Sequence, residues 1–319
     1  MNIEYSLDKL IMDIKVKNEV MSRLHDMFER GIVADTEKRQ YYKRGLFKYG
    51  YSVKLDTDNS FWVGLMQNGE TPNDHYTKCR IEFNPNKVAG HPVFEYIRSM
   101  MLSFCHTVEY KRFDVAIDIP LDRRDVFLQK DQRRYSCVMY SQADKTEYLG
   151  IRGNHGNVKL YNKQVESNLD YPLTRLEITM KYDQSSVTDF LAVFPVVRYV
   201  NSGQLSLDDM IMSDTDRYIV SKILDNPAEV NQLSRKTRKK IESIITRYSQ
   251  ILGPDAESYM SILTQILEYG KSKIGAVADY RKYVREKLSA PETKKPPKRG
   301  KWEFNPDDFE EFEEGLPWG

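Results

Sequence analysis

The fold is decided by the stretch Arg112-Phe113-Asp114-Val115-Ala116-Ile117-Asp118, in which polar and apolar residues alternate. Such alternation predicts a β-strand with one face in a core, because successive side chains on a strand point to opposite faces. The stretches Lys159-Leu160-Tyr161-Asn162-Lys163 and Arg175-Leu176-Glu177-Ile178-Thr179 alternate in the same way. We therefore expect three strands whose apolar faces share a core and whose polar faces share one surface.

The predicted polar surface combines three kinds of side chain. It carries the acids Asp114, Asp118 and Glu177, several cations and the hydroxyl of Tyr161. Carboxylates hold hard divalent metals, cations hold phosphates, and a tyrosine oxygen can act as a nucleophile. Together these groups indicate phosphoryl transfer on DNA.

Composition narrows the class of protein. The chain has 319 residues, 40% of them hydrophobic and 30% charged, with a net charge of +1. It contains no apolar run of the roughly 18 to 20 residues that a membrane helix needs, and we expect neither a signal peptide nor a membrane partner. Three widely spaced cysteines lack zinc-site spacing and are expected to be reduced thiols in a cytoplasm.

The order of patterns predicts an α+β fold with a mostly antiparallel central sheet. Residues 1–183 alternate like strands and are interpreted as the catalytic domain, and residues 184–290 are interpreted as a helical DNA-binding or accessory domain. Within these parts we expect helices over 93–107, 187–200, 206–224 and 234–252, and one or two over 259–288. Residues 291–319 are expected to form a basic linker and a disordered acidic, aromatic tail.

Three motifs resemble those of rolling-circle replication initiators of the Rep-trans type. The run from Tyr110 to Asp118 resembles their aspartate-bearing strand. The hairpin from Thr146 to Lys163 resembles the one that ends in their nucleophilic tyrosine, and the run from Thr174 to Ile178 resembles their closing strand. The run from Glu82 to Lys87 is similar to an element of phage and plasmid relatives. The resemblance covers residues 75–182.

The resemblance implies a divergent HUH-like nuclease fold and a defined activity. Such proteins bind a double-stranded origin, nick one strand and remain attached to its 5′ phosphate through tyrosine, while the free 3′ hydroxyl primes replication. Conjugative relaxases share this domain, so nicking for DNA transfer is an alternative. Lys159 stands where many members have arginine; it keeps the charge but loses the planar two-point grip on phosphate.

The implied chemistry assigns a role to each site residue. Tyr161 is the expected nucleophile, and since its phenol has an ordinary pKa of about 10 it needs a metal, a base or nearby cations. Oxygen ligands favour Mg²⁺ or Mn²⁺ over zinc. The expected metal ligands are Asp114, Asp118, Glu177 and Glu82. The expected phosphate-binding or leaving-group cations are Lys159, Lys163, Arg112 and Arg175.

Each of these residues also has a purely structural interpretation. Asp118 can be a solvated or salt-bridged carboxylate, and Asp114 can pair with Arg112 or Arg175. Tyr161 is one of 21 tyrosines and can be a packing residue. The sequence has no His-x-His pair, so the usual histidine metal cluster of HUH nucleases is not expected.

Two features outside the strands suggest macromolecular partners. The first turns expected for the helix over 234–252 are rich in cations, which can grip DNA phosphates or form an ordinary solvated face. These cations are Arg235, Lys236, Arg238, Lys239 and Lys240. The acidic tail, residues 302–319, resembles the C-terminal peptides of single-stranded-DNA-binding proteins and suggests a helicase or another replication protein as partner; the alternative is a solubilising tail.

The sequence therefore predicts a metal-dependent nickase that initiates rolling-circle replication on origin DNA and handles the nicked single strand. A homodimer is expected from the resemblance alone. The alternatives are a conjugative relaxase and, in another class, a DNA-binding regulator on the same scaffold that does not nick.

Overall fold

The structure is a computed structural model. It describes residues 2–30, 36–38, 46–69, 75–129, 131–133, 136–141, 144–200, 211–225, 229, 232–273 and 275–289. The chain divides into two compact units, residues 1–276 and residues 277–319. The expected linker and acidic tail lie outside the described residues.

The described elements are strands of 3 to 15 residues and helices of 4 to 14 residues. The strands are β1 Glu4–Lys17, β2 Thr36–Lys38, β3 Phe47–Lys54, β4 Ser60–Gln67, β5 Tyr76–Phe83, β6 Cys105–Ile119, β7 Val126–Leu128, β8 Ser136–Ser141, β9 Asp144–Leu149, β10 Val158–Asn162, β11 Thr174–Lys181, β12 Val197–Tyr199 and β13 Gln250–Leu252. The helices are α1 Asn18–Glu29, α2 Pro85–Val88, α3 Pro92–Ser103, α4 Lys163–Ser167, α5 Val187–Val193, α6 Asp214–Asp225, α7 Arg235–Tyr248, α8 Ala256–Tyr269 and α9 Ala276–Ser289.

Ten of these strands form one antiparallel sheet in the order β2-β3-β4-β5-β1-β6-β11-β10-β9-β8. One face is apolar and packs against helices: Phe83 lies 4.7 Å from Phe94 of α3 between ring centroids, and Phe113 lies 6.4 Å from Tyr259 of α8. The predicted fold class, α+β with a mostly antiparallel central sheet, is confirmed. The predicted boundary at residue 183 stays a prediction.

Strands β6, β11 and β10 are consecutive neighbours in the sheet. Asp118 is opposite Arg175, and Asp114 is opposite Thr179; Arg175 and Glu177 are in turn opposite Tyr161 and Lys159. The apolar residues of the three alternating stretches, including Phe113, Leu160 and Leu176, are fully buried. The alternation predicted from the sequence therefore holds, and the polar members share the opposite face.

A β-bulge in β1 modifies this polar face. Leu7 is opposite Val115 and Lys9 is opposite Asp114, so Asp8 is an extra residue in β1. A bulge of this kind re-aims side chains that strict alternation would send to the other face. As a result both Asp8 and Lys9 contact groups on the polar face.

Three predicted helices are shorter in the structure, each for a local reason. The helix expected over 187–200 ends at Val193, because Phe194 precedes Pro195 and is extended, with φ −64° and ψ 126°. Its second half becomes β12. The helices expected over 93–107 and 234–252 end at Ser103 and Tyr248, because the residues that follow pair into the sheets as the start of β6 and as β13.

A second sheet has three strands in the order β13-β12-β7. Strand β7 follows the exit of β6, and β13 follows helix α7. The guanidinium of Arg198 in β12 donates to the carbonyl of Thr246 and to the hydroxyl of Ser249, both at 3.4 Å, at the C-terminal end of α7. The helix expected over 206–224 corresponds to α6, while residues 201–210 lie outside the described residues.

Candidate active site

The polar face of β10 and β11 places a phenol against a carboxylate. The hydroxyl of Tyr161 donates a hydrogen bond of 2.7 Å to Oε1 of Glu177. Nζ of Lys159 lies 3.7 Å from the centroid of the Tyr161 ring and 3.8 Å from Oε2 of Glu177. The structure thus brings together three of the predicted site residues.

Burial controls the protonation of this group. Tyr161 is 6% exposed, and burial raises its pKa far above the ordinary phenol value, assisted by the nearby charge of Glu177 and the hydrogen bond to it. Burial also raises the pKa of Glu177, although Lys159 and the hydrogen bond from Tyr161 oppose the shift. In this state the phenol is neutral and holds its proton toward a carboxylate that can accept it.

Among the acids that the structure describes, Asp114 is the one with a buried oxygen that lacks a hydrogen-bond partner. Its Oδ1 is shielded from solvent and has no hydrogen-bond partner within the described part of the chain. Burial raises the pKa of Asp114, while Arg112 and a hydrogen bond from Thr179 oppose the shift. A buried oxygen without a partner is costly and calls for an explanation, such as an ion.

Asp118 is held by Arg175 in a two-point pair. Nε of Arg175 donates to Oδ1 of Asp118 at 2.6 Å, and Nη2 donates to Oδ2 at 2.7 Å. Nη1 of Arg175 donates to Oδ1 of Asp8 at 3.0 Å. Both oxygens of Asp118 are therefore occupied, which is the salt-bridged alternative considered for this residue, and Arg175 is held between two carboxylates.

The other predicted residues lie around this centre with partners of their own. Glu82 pairs with Lys9 at 3.3 Å and lies 3.9 Å from Arg80. Nη1 of Arg112 donates to the carbonyl of Gly153 at 3.2 Å, under the turn between β9 and β10. Lys163 begins α4 and pairs with Glu166.

The acids fit a metal ion whose coordination shell is completed by a substrate phosphate. Among the described residues, no group of three or more His, Cys, Asp or Glu side chains is arranged to hold a metal ion. Mg²⁺ is commonly held by only one or two carboxylates and completes its shell with water and substrate phosphates. Asp114 and Glu177 fit such a role, because they lie diagonally on neighbouring strands and Oδ1 of Asp114 has no partner among the residues described.

Two polar-face residues of β1 were missed by the sequence reasoning. Asp8 accepts hydrogen bonds of 3.0 Å from both Arg175 and Nδ2 of Asn84, and Lys9 pairs with Glu82. The available signal was the doublet Asp8-Lys9 between Leu7 and Leu10, which breaks the alternation of β1 and indicates a bulge.

The predicted DNA-binding cations lie on one helix, away from these strands in the chain. Ser234 caps α7 by accepting from the backbone N–H of Thr237 at 3.2 Å. The cations of its first two turns are Arg235, Lys236, Arg238, Lys239 and Lys240. Lys240 pairs with Asp216 of α6 at 2.6 Å, whereas Arg235, Lys236 and Lys239 are exposed.

Comparison with known proteins gives a partial likeness to replication proteins. No protein-family model matches the chain. Two replication initiation proteins of Staphylococcus aureus are similar: one is 27% identical over 187 residues, covering 54% of this chain and 55% of the relative. The other is 26% identical over 181 residues, with the same coverage of 54% and 55%. The chain therefore spans about half the length of the curated relatives that it matches.

One solved structure is also similar, that of a rolling-circle replication initiator protein from Geobacillus stearothermophilus. It is 13% identical, with a TM-score of 0.38, and the match covers 77% of this chain and 97% of that one. The predicted resemblance to replication initiation proteins is confirmed by the curated relatives. Within the described part of the chain, no helix is both long and apolar enough to cross a membrane.

Proposed function

We propose that this protein initiates rolling-circle replication by nicking one strand of a double-stranded origin through Tyr161. The observation that carries the proposal is the hydrogen bond from the Tyr161 hydroxyl to Glu177, beside Lys159, on a surface rich in carboxylates and cations. The likeness to replication initiation proteins supports the choice of origin DNA as substrate.

The proposed reaction is a transesterification. The oxygen of Tyr161 attacks the scissile phosphorus, the bond from phosphorus to the 3′ oxygen breaks, and a phosphotyrosyl bond replaces it. Glu177 accepts the phenol proton as general base, and the departing 3′ oxygen receives a proton to become the hydroxyl that primes synthesis. The phosphodiester energy is kept in the new bond, so the reverse reaction can rejoin the strand.

The cations of the face would hold the phosphate during this exchange. Lys159 is one-third exposed and lies against the phenol ring, so it can neutralise charge on both the phenolate and a non-bridging phosphate oxygen. Arg112 lies on β6, which is separated from the Tyr161 strand β10 by β11, and its guanidinium is held by the carbonyl of Gly153. Arg175 acts by position, since its guanidinium is already held by Asp8 and Asp118.

A divalent metal belongs to the proposal as well. Asp114 would hold Mg²⁺ or Mn²⁺ together with Oε2 of Glu177, while Oε1 of Glu177 accepts the Tyr161 proton. Glu82 and Asp118 would be weaker candidates, because they already pair with Lys9 and Arg175. Such an ion, when bound, would polarise the scissile phosphate. Double-stranded DNA would be gripped by the exposed cations of α7, whose helix N-terminus also favours phosphate.

A matched pair of variants tests the nicking activity. Wild-type protein, Tyr161→Phe and Tyr148→Phe are incubated with supercoiled DNA of the parent replicon and Mn²⁺. Tyr148 lies on β9, opposite Lys159 of β10, so Tyr148→Phe controls for the loss of a hydroxyl near the site. We expect a covalent adduct and open-circular DNA from the wild type and Tyr148→Phe, and intact DNA binding without adduct from Tyr161→Phe.

The burial of Tyr161 favours a second candidate function, a DNA-binding regulator that does not nick. A phenol only 6% exposed, with its pKa raised, is a poor nucleophile until DNA or metal rearranges the site. Equal behaviour of the wild type and Tyr161→Phe in the nicking test would support the regulator and reject the enzyme.

A conjugative relaxase is the alternative function within the same class, and it would give the same adduct. Genetics separates relaxase from initiator: a plasmid with only this gene and its origin replicates under the initiator proposal alone.

Residues 302–319 are proposed to bind a helicase or another replication protein, and they lie outside the described residues. This binding is tested by a pulldown with the tail peptide and, as control, a peptide with Trp318→Ala.

A further inference from the structure

A buried arginine lies on the apolar side of the strand that carries Tyr161. Arg123 follows the end of β6, in the short connection to β7, and its side chain is 1% exposed. Arginine is almost never fully buried without partners that satisfy its charge and its five N–H groups. Its contacts therefore show which parts of the chain it holds together.

The guanidinium of Arg123 joins three strands through their carbonyl groups. Nε donates to the carbonyl of Lys145 in β9 at 3.1 Å, and Nη2 donates to the carbonyl of Leu160 in β10 at 3.4 Å. Nη1 donates to the carbonyl of Val126 in β7. Leu160 directly precedes Tyr161, so one of these bonds is made to the peptide group of the proposed nucleophile.

A carboxylate from the same hairpin completes the arrangement. Oε1 of Glu147 lies 3.2 Å from Nη2 of Arg123 and 2.7 Å from Nζ of Lys145. Oε2 accepts a hydrogen bond of 2.6 Å from the backbone N–H of Leu128. Although burial raises the pKa of Glu147, Lys145 and Arg123 outweigh that effect and hold the pKa below its usual value, so the carboxylate stays charged.

An ion pair in this position is a poor way to gain stability alone. Its desolvation cost commonly cancels the attraction, and well-packed apolar residues of similar volume are often as stable or more stable. The pair supplies directional hydrogen bonds to β7, β9 and β10. Apolar side chains of the same volume would hold these strands without fixing their relative positions.

We propose that Arg123 and Glu147 are positioning residues that hold the β9–β10 hairpin, and with it Tyr161, at the depth needed for reaction on the opposite face. The inference rests on the proposed nicking function. Arg123 also follows β6, the strand of Asp114 and Asp118, so the same side chain relates the acid-bearing strand to the nucleophile strand. Misplacing a reacting atom by about 1 Å can cost about 100-fold in rate.

The test replaces the whole pair rather than one partner. The double variant Arg123→Met/Glu147→Leu removes both charges of the pair, so neither is left buried alone as it would be after a single change. Lys145 also loses Glu147, but its side chain is partly exposed. The matched control is Arg98→Met/Glu95→Leu, because Glu95 and Arg98 form a similarly buried pair at 2.5 Å within α3. Arg123→Lys is a second, milder variant, which keeps the charge but not the fork of donors.

We expect the double variant to bind origin DNA as the wild type does, with KM unchanged and kcat for adduct formation lowered about 10- to 100-fold. The Arg98/Glu95 control keeps the wild-type kcat. Arg123→Lys gives an intermediate kcat and serves if the double variant does not fold. A wild-type kcat in the double variant, or in Arg123→Lys if that alone folds, overturns the proposal.

Hydrogen exchange of the peptide that spans β10 gives a readout that does not depend on nicking. We expect faster exchange in residues 158–162 of the double variant or Arg123→Lys than in wild type, with β1 unchanged, and no such difference in the control pair. Unchanged exchange in β10 overturns the positioning role even if the wild-type protein forms no adduct. Absence of adduct with faster β10 exchange would instead reject the proposed function and keep the positioning role.

Discussion

Tyr161 and Glu177 lie on neighbouring antiparallel strands and share one hydrogen bond, from the phenol hydroxyl to Oε1 at 2.7 Å. The two residues are not directly opposite each other; Tyr161 faces Arg175 and Glu177 faces Lys159. The bond is thus diagonal, and it places the only proton that the reaction must remove against a group able to accept it. Burial raises the pKa of both residues; the hydrogen bond adds to the shift of Tyr161 and opposes that of Glu177.

The first prediction concerns Glu177 as base. Glu177→Gln keeps the shape but cannot accept a proton, and we expect adduct formation to slow by about 100-fold or more. Origin binding, measured by fluorescence anisotropy, should change little. Adduct formation at the wild-type rate would show that the proton leaves by another path.

The second prediction is the pH dependence of the wild type. Glu177 must be deprotonated to act, and burial raises its pKa above the ordinary value of 4.5. The single-turnover rate should therefore fall as pH drops through that raised pKa, with its acid midpoint above 4.5. In Glu177→Gln this acid limb should be absent; an identical limb in the variant would assign it to another group.

The third prediction separates the acids that were grouped as metal ligands. Asp114→Asn should weaken Mn²⁺ binding, because its buried Oδ1 is the oxygen without a partner among the described residues. Asp118→Asn should bind Mn²⁺ as the wild type does, since Arg175 occupies both oxygens of Asp118. Titration calorimetry and the Mn²⁺ electron paramagnetic resonance signal measure this without DNA. The reverse order of affinities would contradict the assignment.

The same variants should differ in stability. Asp118→Asn leaves Arg175 with one carboxylate instead of two in a mostly buried setting, and we expect a loss of about 3 kcal/mol in the free energy of unfolding. Asp114→Asn should cost less or stabilise, because it removes charge from a carboxylate whose shielded Oδ1 has no partner in the described part of the chain. Urea unfolding gives both values, and equal losses would argue against the Arg175 pairing.

The fourth prediction concerns helix α7. Lys236→Ala/Lys239→Ala removes two exposed cations, and each phosphate contact contributes about 0.9 to the slope of log affinity against log salt. If both touch phosphate, the slope should become shallower by roughly 1.8. Lys271→Ala is a control, because Lys271 is exposed and pairs with Glu268. An unchanged slope in the double variant would make this helix a solvated face.

The fifth prediction concerns Lys159. Its ammonium lies over the Tyr161 ring, an interaction of about 0.5 to 2 kcal/mol. Because this attraction strengthens as the phenol becomes a phenolate, Lys159→Met should slow adduct formation about 2- to 30-fold, and more if the ammonium also holds phosphate. Lys159→Arg should keep the activity, since arginine supplies charge and a two-point grip. Full activity in Lys159→Met would remove this residue from the site.

The sequence allowed prediction where the signal was local. Alternation placed Phe113, Leu160 and Leu176 in the core, and Tyr161 and Glu177 together on the other face, because a period of two depends only on the strand itself. Asp8 was missed because a bulge breaks that period, although the doublet Asp8-Lys9 indicated it.

Partnerships that depend on strand order could not be predicted. The pair Asp118–Arg175 exists because β6 and β11 are neighbours in one register, and the sequence left both a metal ligand and a salt bridge open for Asp118. Arg123 and Glu147 are 24 positions apart on different elements, and only the folded hairpin joins them. Helices α3 and α7 were predicted to extend too far toward their C-terminal ends, because the residues that follow pair into sheets despite their helical pattern.

The central claim is that Tyr161 becomes covalently linked to DNA. The most direct measurement is mass spectrometry of the protein after incubation with supercoiled DNA of its own replicon and Mn²⁺, followed by nuclease and protease digestion. We predict a nucleotide remnant on the peptide that contains Tyr161, attached through a 5′ phosphate to that residue. A remnant on another tyrosine, or nicked DNA with no protein-linked nucleotide, would contradict the account.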